Sequence, residues 1–233
     1  MFSNIIIIIP ARGGSKRIPN KNIKLLGDKP LLAWTVQQAL KFSAANVVVS
    51  TDDKKVADMA IELGAEVPFM RSNEFASDDA NVIDAVLEVL EYYAKLDIKF
   101  DGVLLLQPTS PFRSIKTINK AVSMFFNSNG ESVVSVSPVS SHPYWHKKIK
   151  NGVLIPFDSN YDGSSIRSQD LPDVYELNGL IYLSSPENLK EQRSFYSLNT
   201  KGFVVSSRTE SIDIDTPFDW LLAETILSQR IKQ

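Results

Sequence analysis

A chain of 233 residues is the size of one domain with at most a small appendage, and a 43% apolar content supplies a real core. Its 25 Lys and Arg against 27 Asp and Glu leave a net charge of −2, which excludes a surface built wholly for nucleic acid or anionic membrane. There is no cysteine, so disulfides, thiolate metal sites and a cysteine nucleophile are excluded, and a reducing cytoplasm is the expected compartment.

The apolar run at residues 5–9 reads as a strand buried on both faces. It lacks the basic flank and cleavage site of a signal peptide, and no run approaches the roughly 18 apolar residues of a transmembrane helix. A loop follows at residues 10–24. It holds five cations (Arg12, Lys16, Arg17, Lys21, Lys24) and no acid; the first acidic residue of the chain is Asp28. Gly13 and Gly14 let the backbone approach a ligand closely, and Ser15 adds a hydroxyl. Such a loop at a strand end suits a polyphosphate, because N–H groups and cations can surround its oxygens. It is neither a Walker A motif nor a dinucleotide fingerprint.

Helical periodicity covers residues 30–42, with Pro30 at the first position. A strand at 46–50 ends in Ser50-Thr51-Asp52. A helix at 53–63 stops at Gly64, and a short strand occupies 66–70 before Arg71, whose default is exposure. A long helix spans 79–93. An all-apolar strand at 102–106 ends in Gln107-Pro108-Thr109-Ser110-Pro111, whose prolines present Gln107, Thr109, Ser110 and Arg113 rigidly. A helix at 115–126 and a strand at 132–137 continue the alternation, which implies an α/β fold with a mostly parallel sheet covered on both faces. Ligand sites then fall at strand carboxyl ends.

Residues 139–175 break the pattern and read as an irregular or β-hairpin arm within a single domain of 1–233. His142 and His146 within it lack the pattern of a zinc site. Strands resume at 177–183 and 202–206. The last helix runs over 216–229, with Thr216 as N-cap and a buried stripe of Phe218, Leu221, Leu222 and Ile226. Just before it, Asp213 and Asp215 alternate with Ile212 and Ile214, so both carboxylates share one face of an extended segment. Paired hard oxygen ligands suit Mg²⁺ shared with substrate phosphates.

In four blocks that keep their order, the chain resembles the CMP-sialic acid synthetases (acylneuraminate cytidylyltransferases). The blocks are residues 11–16 through Lys21-Asn22, Ser50-Thr51-Asp52, the segment 106–111, and the segment 211–215; the similarity covers about residues 4–228. The resemblance implies a Rossmann-like nucleotidyltransferase fold, CTP as donor, Mg²⁺ as cofactor and a nine-carbon α-keto sugar acid as acceptor. It implies a cytoplasmic homodimer, with no nucleic-acid or membrane partner, in which an arm like 139–175 crosses to the partner subunit.

Carried over residue by residue, Arg12 and Lys21 hold the triphosphate, with Gly13, Gly14 and Ser15 in the same nucleotide-binding loop. Asn22 and Arg71 contact the nucleoside. Gln107, Arg167 and Tyr182 serve the sugar acid, Arg167 joining Arg12 and Lys21 as a catalytic residue. Asp213 and Asp215 bind Mg²⁺. The expected reaction is in-line attack of the anomeric hydroxyl on the α-phosphorus of CTP, releasing pyrophosphate.

Some relatives carry serines where this chain has Ala80 and Val82, and Glu176-Leu177 replaces the Arg-Pro that bacterial sialic acid enzymes can have before Asn178-Gly179. Sialic, legionaminic and deaminated sialic acids therefore stay open as acceptors. The alternative is a nucleotide-sugar-dependent glycosyltransferase that uses Asp213 and Asp215 as its Asp-x-Asp metal site.

Overall fold

The computed structural model describes residues 4–42, 45–72, 81–128, 130–158 and 166–231. β1 (Ile5–Pro10) is followed by the basic loop and a small antiparallel hairpin, β2 (Leu25–Leu26) with β3 (Lys29–Pro30). Gly27 makes its turn at φ +68°. α1 (Leu31–Leu40), β4 (Ala45–Ser50), α2 (Lys54–Glu62), α3 (Val82–Lys95), β5 (Gly102–Leu105), α4 (Ile115–Asn127) and β6 (Val133–Pro138) then alternate. The arm carries the hairpin of β7 (Lys147–Lys150) and β8 (Val153–Pro156). β9 (Tyr175–Ser184), α5 (Pro186–Gln192), β10 (Lys201–Val204) and α6 (Pro217–Ile231) complete the chain.

Among the described residues, six strands form the central sheet in the order β10-β6-β9-β5-β1-β4. β1 pairs in parallel with β4 and β5, and β10 with β6. β9 alone runs antiparallel, between β5 and β6. The isoleucine run explains why β1 lies inside the sheet. Ile5, Ile7 and Ile9 pack with α1, α2 and α4, while Ile6 and Ile8 pack with α3, so alternate side chains feed two different helical layers.

Each expected helix and strand is present with adjusted limits, apart from three differences. The strand expected over 66–70 is reduced to one bridge, Val48 to Glu66. Pro30 sits at the N-cap of α1 with ψ 148°, one position earlier than expected, because β3 still holds it extended. The start of the helix expected at 79–93 lies partly outside the described residues; Asn81 caps α3 by accepting from the Ile83 N–H. Gly64 does stop α2, at φ +95°.

The arm leaves and rejoins the sheet on paired residues, Pro138 and Tyr175. Its hairpin turns at Asn151 and Gly152, both at positive φ, which matches the twist of the flanking strands. Residues 159–165 of the arm lie outside the described residues.

The last helix corrects the expected stripe. Thr216 caps it, and Asp219 answers by accepting from the Thr216 N–H at 2.7 Å. Its inward residues, however, are Trp220, Ala223 and Leu227, with Ile226 partly covered. Phe218, Leu221 and Leu222 face outward and are 73%, 60% and 41% exposed. The helix carries two opposed apolar stripes, and periodicity cannot say which one meets the core. Leu227→Ala is expected to lower the unfolding free energy by about 2–5 kcal/mol, and Leu221→Ala to change it by less than about 0.5 kcal/mol. Urea denaturation of both variants checks this; the opposite ranking would put the core on the other stripe.

Candidate active site

The basic loop folds onto itself before it meets anything else. Asn20 takes a left-handed turn at φ 54°, and a single 3₁₀ turn at Lys21–Ile23 follows. Asn22 is buried, and its side-chain amide donates to the Arg12 carbonyl at 2.9 Å, closing the loop. The two glycines differ in purpose. The Gly13 N–H donates to Asp52 Oδ1 at 3.0 Å, and a Cβ on Gly13 would lie 2.7 Å from Asp53 Oδ2. Gly13 therefore makes room for the turn after β4. Gly14 has nothing within 4 Å of such a Cβ, so only there does the expected open backbone hold.

The late acidic segment lies directly against this loop. Lys21 Nζ donates to the Ile214 carbonyl at 2.8 Å and to Asp215 Oδ1 at 3.0 Å. Arg17 Nη1 reaches Asp215 Oδ2 at 3.4 Å across 198 positions of sequence. On the other side, the Ile214 N–H donates to the Thr109 carbonyl at 2.8 Å, so the loop after β5 holds the same segment. Ile214 itself is wholly buried between the two carboxylates, as the alternation predicts.

The carboxylates are unequal. Burial pushes the Asp213 carboxyl above its ordinary range, and the charge on Asp215 adds to this against a hydrogen bond from Thr109. Among the described residues, Asp213 Oδ1 is buried with no hydrogen-bond partner. An orphaned carboxylate oxygen beside a second, half-exposed carboxylate fits an oxygen-seeking divalent cation. Among the described residues no third Asp, Glu, His or Cys joins them. Such an ion would take its remaining ligands from water and substrate.

Arg12, Ser15, Lys16, Lys21 and Asn22 share a cleft of about 620 Å³ with Arg71, Val82, Gln107, Thr109, Asp213 and Asp215. The cationic loop and the acidic pair thus face one space at the carboxyl ends of β1 and β5. A wider, more open hollow of about 820 Å³ lies across α4 and Lys201, away from all of these groups.

Arg71 overturns its expected exposure. It is 8% exposed, and its Nε donates to Ser50 Oγ at 3.0 Å while its guanidinium also grips the Ser50 carbonyl. Burial holds its pKa below the ordinary arginine value. Ser110 and Arg113, expected as presented loop residues, are buried too, at 0% and 2% exposure. Gly179, at φ +69°, sits against the opposite wall; a Cβ there would stand 3.2 Å from Gln107 Oε1 and 3.7 Å from Asp213 Oδ2.

Tyr182 and Arg167 do not line the cleft. Tyr182 is on β9, opposite Leu105 and Val134, and stacks with Phe195 and Tyr196. Burial first, then Tyr196, pushes its phenol above the usual range. Arg167 stands exposed on the arm. The residue-by-residue assignments left out Arg17, Val82 and Gly179. Arg17 stood in the cationic run, but its partner lies at the other end of the chain.

Asp219 supports this site from below. Burial alone would raise its carboxyl, but the Thr216 hydroxyl and the Thr216 and Asp215 N–H groups overcome that and hold it below the ordinary value. Asp219→Ala is expected to cost about 0.5–2 kcal/mol at neutral pH, the range of a lost cap. Because the folded carboxyl ionises more readily than an unfolded one, the contribution is complete above about pH 4 and fades as pH falls through the lowered value. Denaturation of variant and parent at pH 7 and pH 3 measures this; an equal gap at both would remove the ionised carboxylate from the cap.

A largely parallel sheet with helices on both faces, and with cations and paired carboxylates meeting at its strand ends, defines an α/β nucleotidyltransferase. Residues 6–208 match the cytidylyltransferase family, and the chain belongs to it. It is 45% identical to the CMP-N,N'-diacetyllegionaminic acid synthase of Legionella pneumophila over 224 residues, covering 96% of each chain. It is 32% identical to the N-acylneuraminate cytidylyltransferase of Streptococcus agalactiae over 223 residues, which are 93% of this chain and 51% of that protein. The solved structure of a CMP:2-keto-3-deoxy-manno-octonic acid synthetase complexed with CTP shares the fold, with TM-score 0.73 at 19% identity over 98% of this chain and 100% of that one. Among the described residues no helix is long and apolar enough to cross a membrane.

Proposed function

We propose that this cytidylyltransferase joins CTP to a nine-carbon α-keto sugar acid of the legionaminic type, giving the CMP-sugar and pyrophosphate. The observation that carries the reaction is the single cleft shared by Arg12, Lys21, Asp213 and Asp215. The acceptor class rests on the 45% identity with the legionaminic acid enzyme along almost the full length of both chains. Glu176-Leu177 ahead of Asn178-Gly179 agrees with an acceptor other than sialic acid itself.

In this reading the anomeric hydroxyl attacks the α-phosphorus in line, and the bond to the β-phosphate breaks. Such a transfer needs positioning and charge neutralisation more than a protein nucleophile. Arg12 and Lys21 approach the triphosphate from the floor of the cleft, and Lys21 is already held pointing inward by Asp215 and the Ile214 carbonyl. Asn22 and Arg71 border the nucleoside, and Val82 offers an apolar contact where some relatives place a hydroxyl. Gln107 faces the sugar acid from the cleft wall beside Gly179. Asp213 and Asp215 hold Mg²⁺, which supplies Lewis-acid stabilisation of the phosphate charge when bound.

A cytoplasmic homodimer completes the proposal. Ile149, Leu154 and Phe157 of the arm are 76%, 68% and 57% exposed, an apolar surface suited to a second subunit. Arg167 on the same arm serves the sugar acid by reaching across that contact. The glycosyltransferase alternative predicts release of a nucleoside diphosphate. A panel of nonulosonic acids with CTP and Mg²⁺, read as pyrophosphate, separates the two. Asp215→Ala is expected to lower turnover by about 10²–10³ while cooperative unfolding persists. Full activity in that variant would take Asp215 out of the metal site.

A further inference from the structure

Arg113 is a buried cation that the reaction above does not use. Among the described residues, all of its hydrogen bonds go to neutral oxygens. Its Nε donates to the Leu180 carbonyl at 2.9 Å and its Nη2 to the Gln107 carbonyl at 2.9 Å. Its Nη1 reaches Gln38 Oε1 at 3.2 Å and Thr35 Oγ1 at 3.5 Å, both on α1. Asp213 and Glu210 act on it only through space, and burial pushes its pKa down to about 9. A buried guanidinium without a paired carboxylate is costly, and an apolar side chain would fill the space more cheaply. What the guanidinium adds is geometry: a rigid planar fork whose separate nitrogens Nε and Nη2 hold two carbonyls at a fixed spacing, where a lysine offers a single nitrogen on a flexible stem.

Those two carbonyls flank the place where the loop after β5 meets β9. Leu180 directly follows Gly179, whose Cα faces the Gln107 side chain. Asn178 Oδ1 accepts from the Leu180 N–H at 3.1 Å and from Ser135 Oγ at 2.6 Å, so the β9 side of the contact is held separately. Gln38 completes the other side by donating to the Pro111 carbonyl at 2.5 Å. The β5–β9 ladder ends at Leu105 opposite Tyr182, and beyond it Arg113 bridges the two segments by holding the Gln107 and Leu180 carbonyls together.

We propose that Arg113 is a positioning residue: it fixes Gln107 against the Gly179 bend and thereby shapes the acceptor subsite without touching either substrate. This rests on the reading that Gln107 faces the sugar acid. The fork acts on one wall of the cleft and leaves the cationic loop alone, so its effect falls on the acceptor and not on CTP.

The test uses the full chain with Arg113→Lys, Gln107→Ala and the double substitution, the sugar acid turned over best by the parent, and calorimetric titration of CTP alone. Arg113→Lys is expected to lower kcat/KM for the sugar acid by roughly 10–100-fold, the effect of a small misplacement. The Kd for CTP should move by less than about twofold. Added to Gln107→Ala, the Arg113→Lys change should cost less than about threefold more, because the two act in series. An equal loss in both backgrounds, or a matching loss of CTP binding, overturns the proposal.

Gln38→Ala, a milder disturbance of the same clamp, is expected to give a smaller loss of the same selectivity, and no acceptor effect there counts against it. The crystal structure of Arg113→Lys supplies a readout that needs no acceptor. A displaced Gln107 main chain supports the inference, and an unchanged spacing to Gly179 refutes it even if the sugar-acid reading fails.

Discussion

A small apolar cluster, separate from the two large layers of the core, holds the active site together. Ile18 from the basic loop and Ile214 from between the two carboxylates pack in it with Leu26, Leu31, Phe112, Trp220 and Leu227. It joins residues 18–31 and Phe112 to residues 214–227. The ion pairs across the same junction share Asp215, whose side chain is 49% exposed, and exposed pairs contribute about 0–1 kcal/mol each. Burying a single Leu, Ile or Phe side chain contributes about 1.5–3 kcal/mol. Apolar packing therefore brings the charges together, and the charges tune what the packing has already placed.

That division explains the electrostatics of the cleft. Cations and carboxylates that would repel or desolvate unfavourably alone offset one another across the junction: Lys21 and Arg17 lean on Asp215, while Asp213 sits deeper, with an oxygen unanswered. In the proposed reaction the ligand carries phosphate together with a divalent ion. The phosphate competes for the cations as the ion competes for the carboxylates. The raised carboxyl of Asp213 is a standing cost to the folded chain, of the sort that functional sites retain.

Much of the architecture was legible before any coordinates. The isoleucine run, the apolar strand at β5 and the helical spacings between them announce a buried, largely parallel sheet, because a strand covered on both faces has no polar side to show. Three of the four motif blocks contribute to the cleft lining while Ser50-Thr51-Asp52 does not, and alternation at 212–215 correctly put Ile214 inside. Other residues misled for identifiable reasons. Arg71 and Arg113 look like surface cations, since nothing local shows that backbone carbonyls will satisfy their guanidinium groups. Gly13 has a packing role that the sequence does not show, since a Cβ there would meet Asp53, forty positions away. The outward stripe of α6 is as apolar as its inward one.

The sequence by itself determined which segments are strands and helices, which face of most of them is apolar, and which residue types can bind phosphate or a hard cation. Those properties follow from periodicity and side-chain chemistry, and both are local. Only the tertiary structure decided that the first loop meets the last carboxylates, that Gln107 is clamped by Arg113 against Gly179, and that Tyr182 and Arg167 stand outside the cleft of this chain. Each of these depends on distances between residues remote in sequence, and such distances exist only once the sheet order is set and the third apolar cluster has closed.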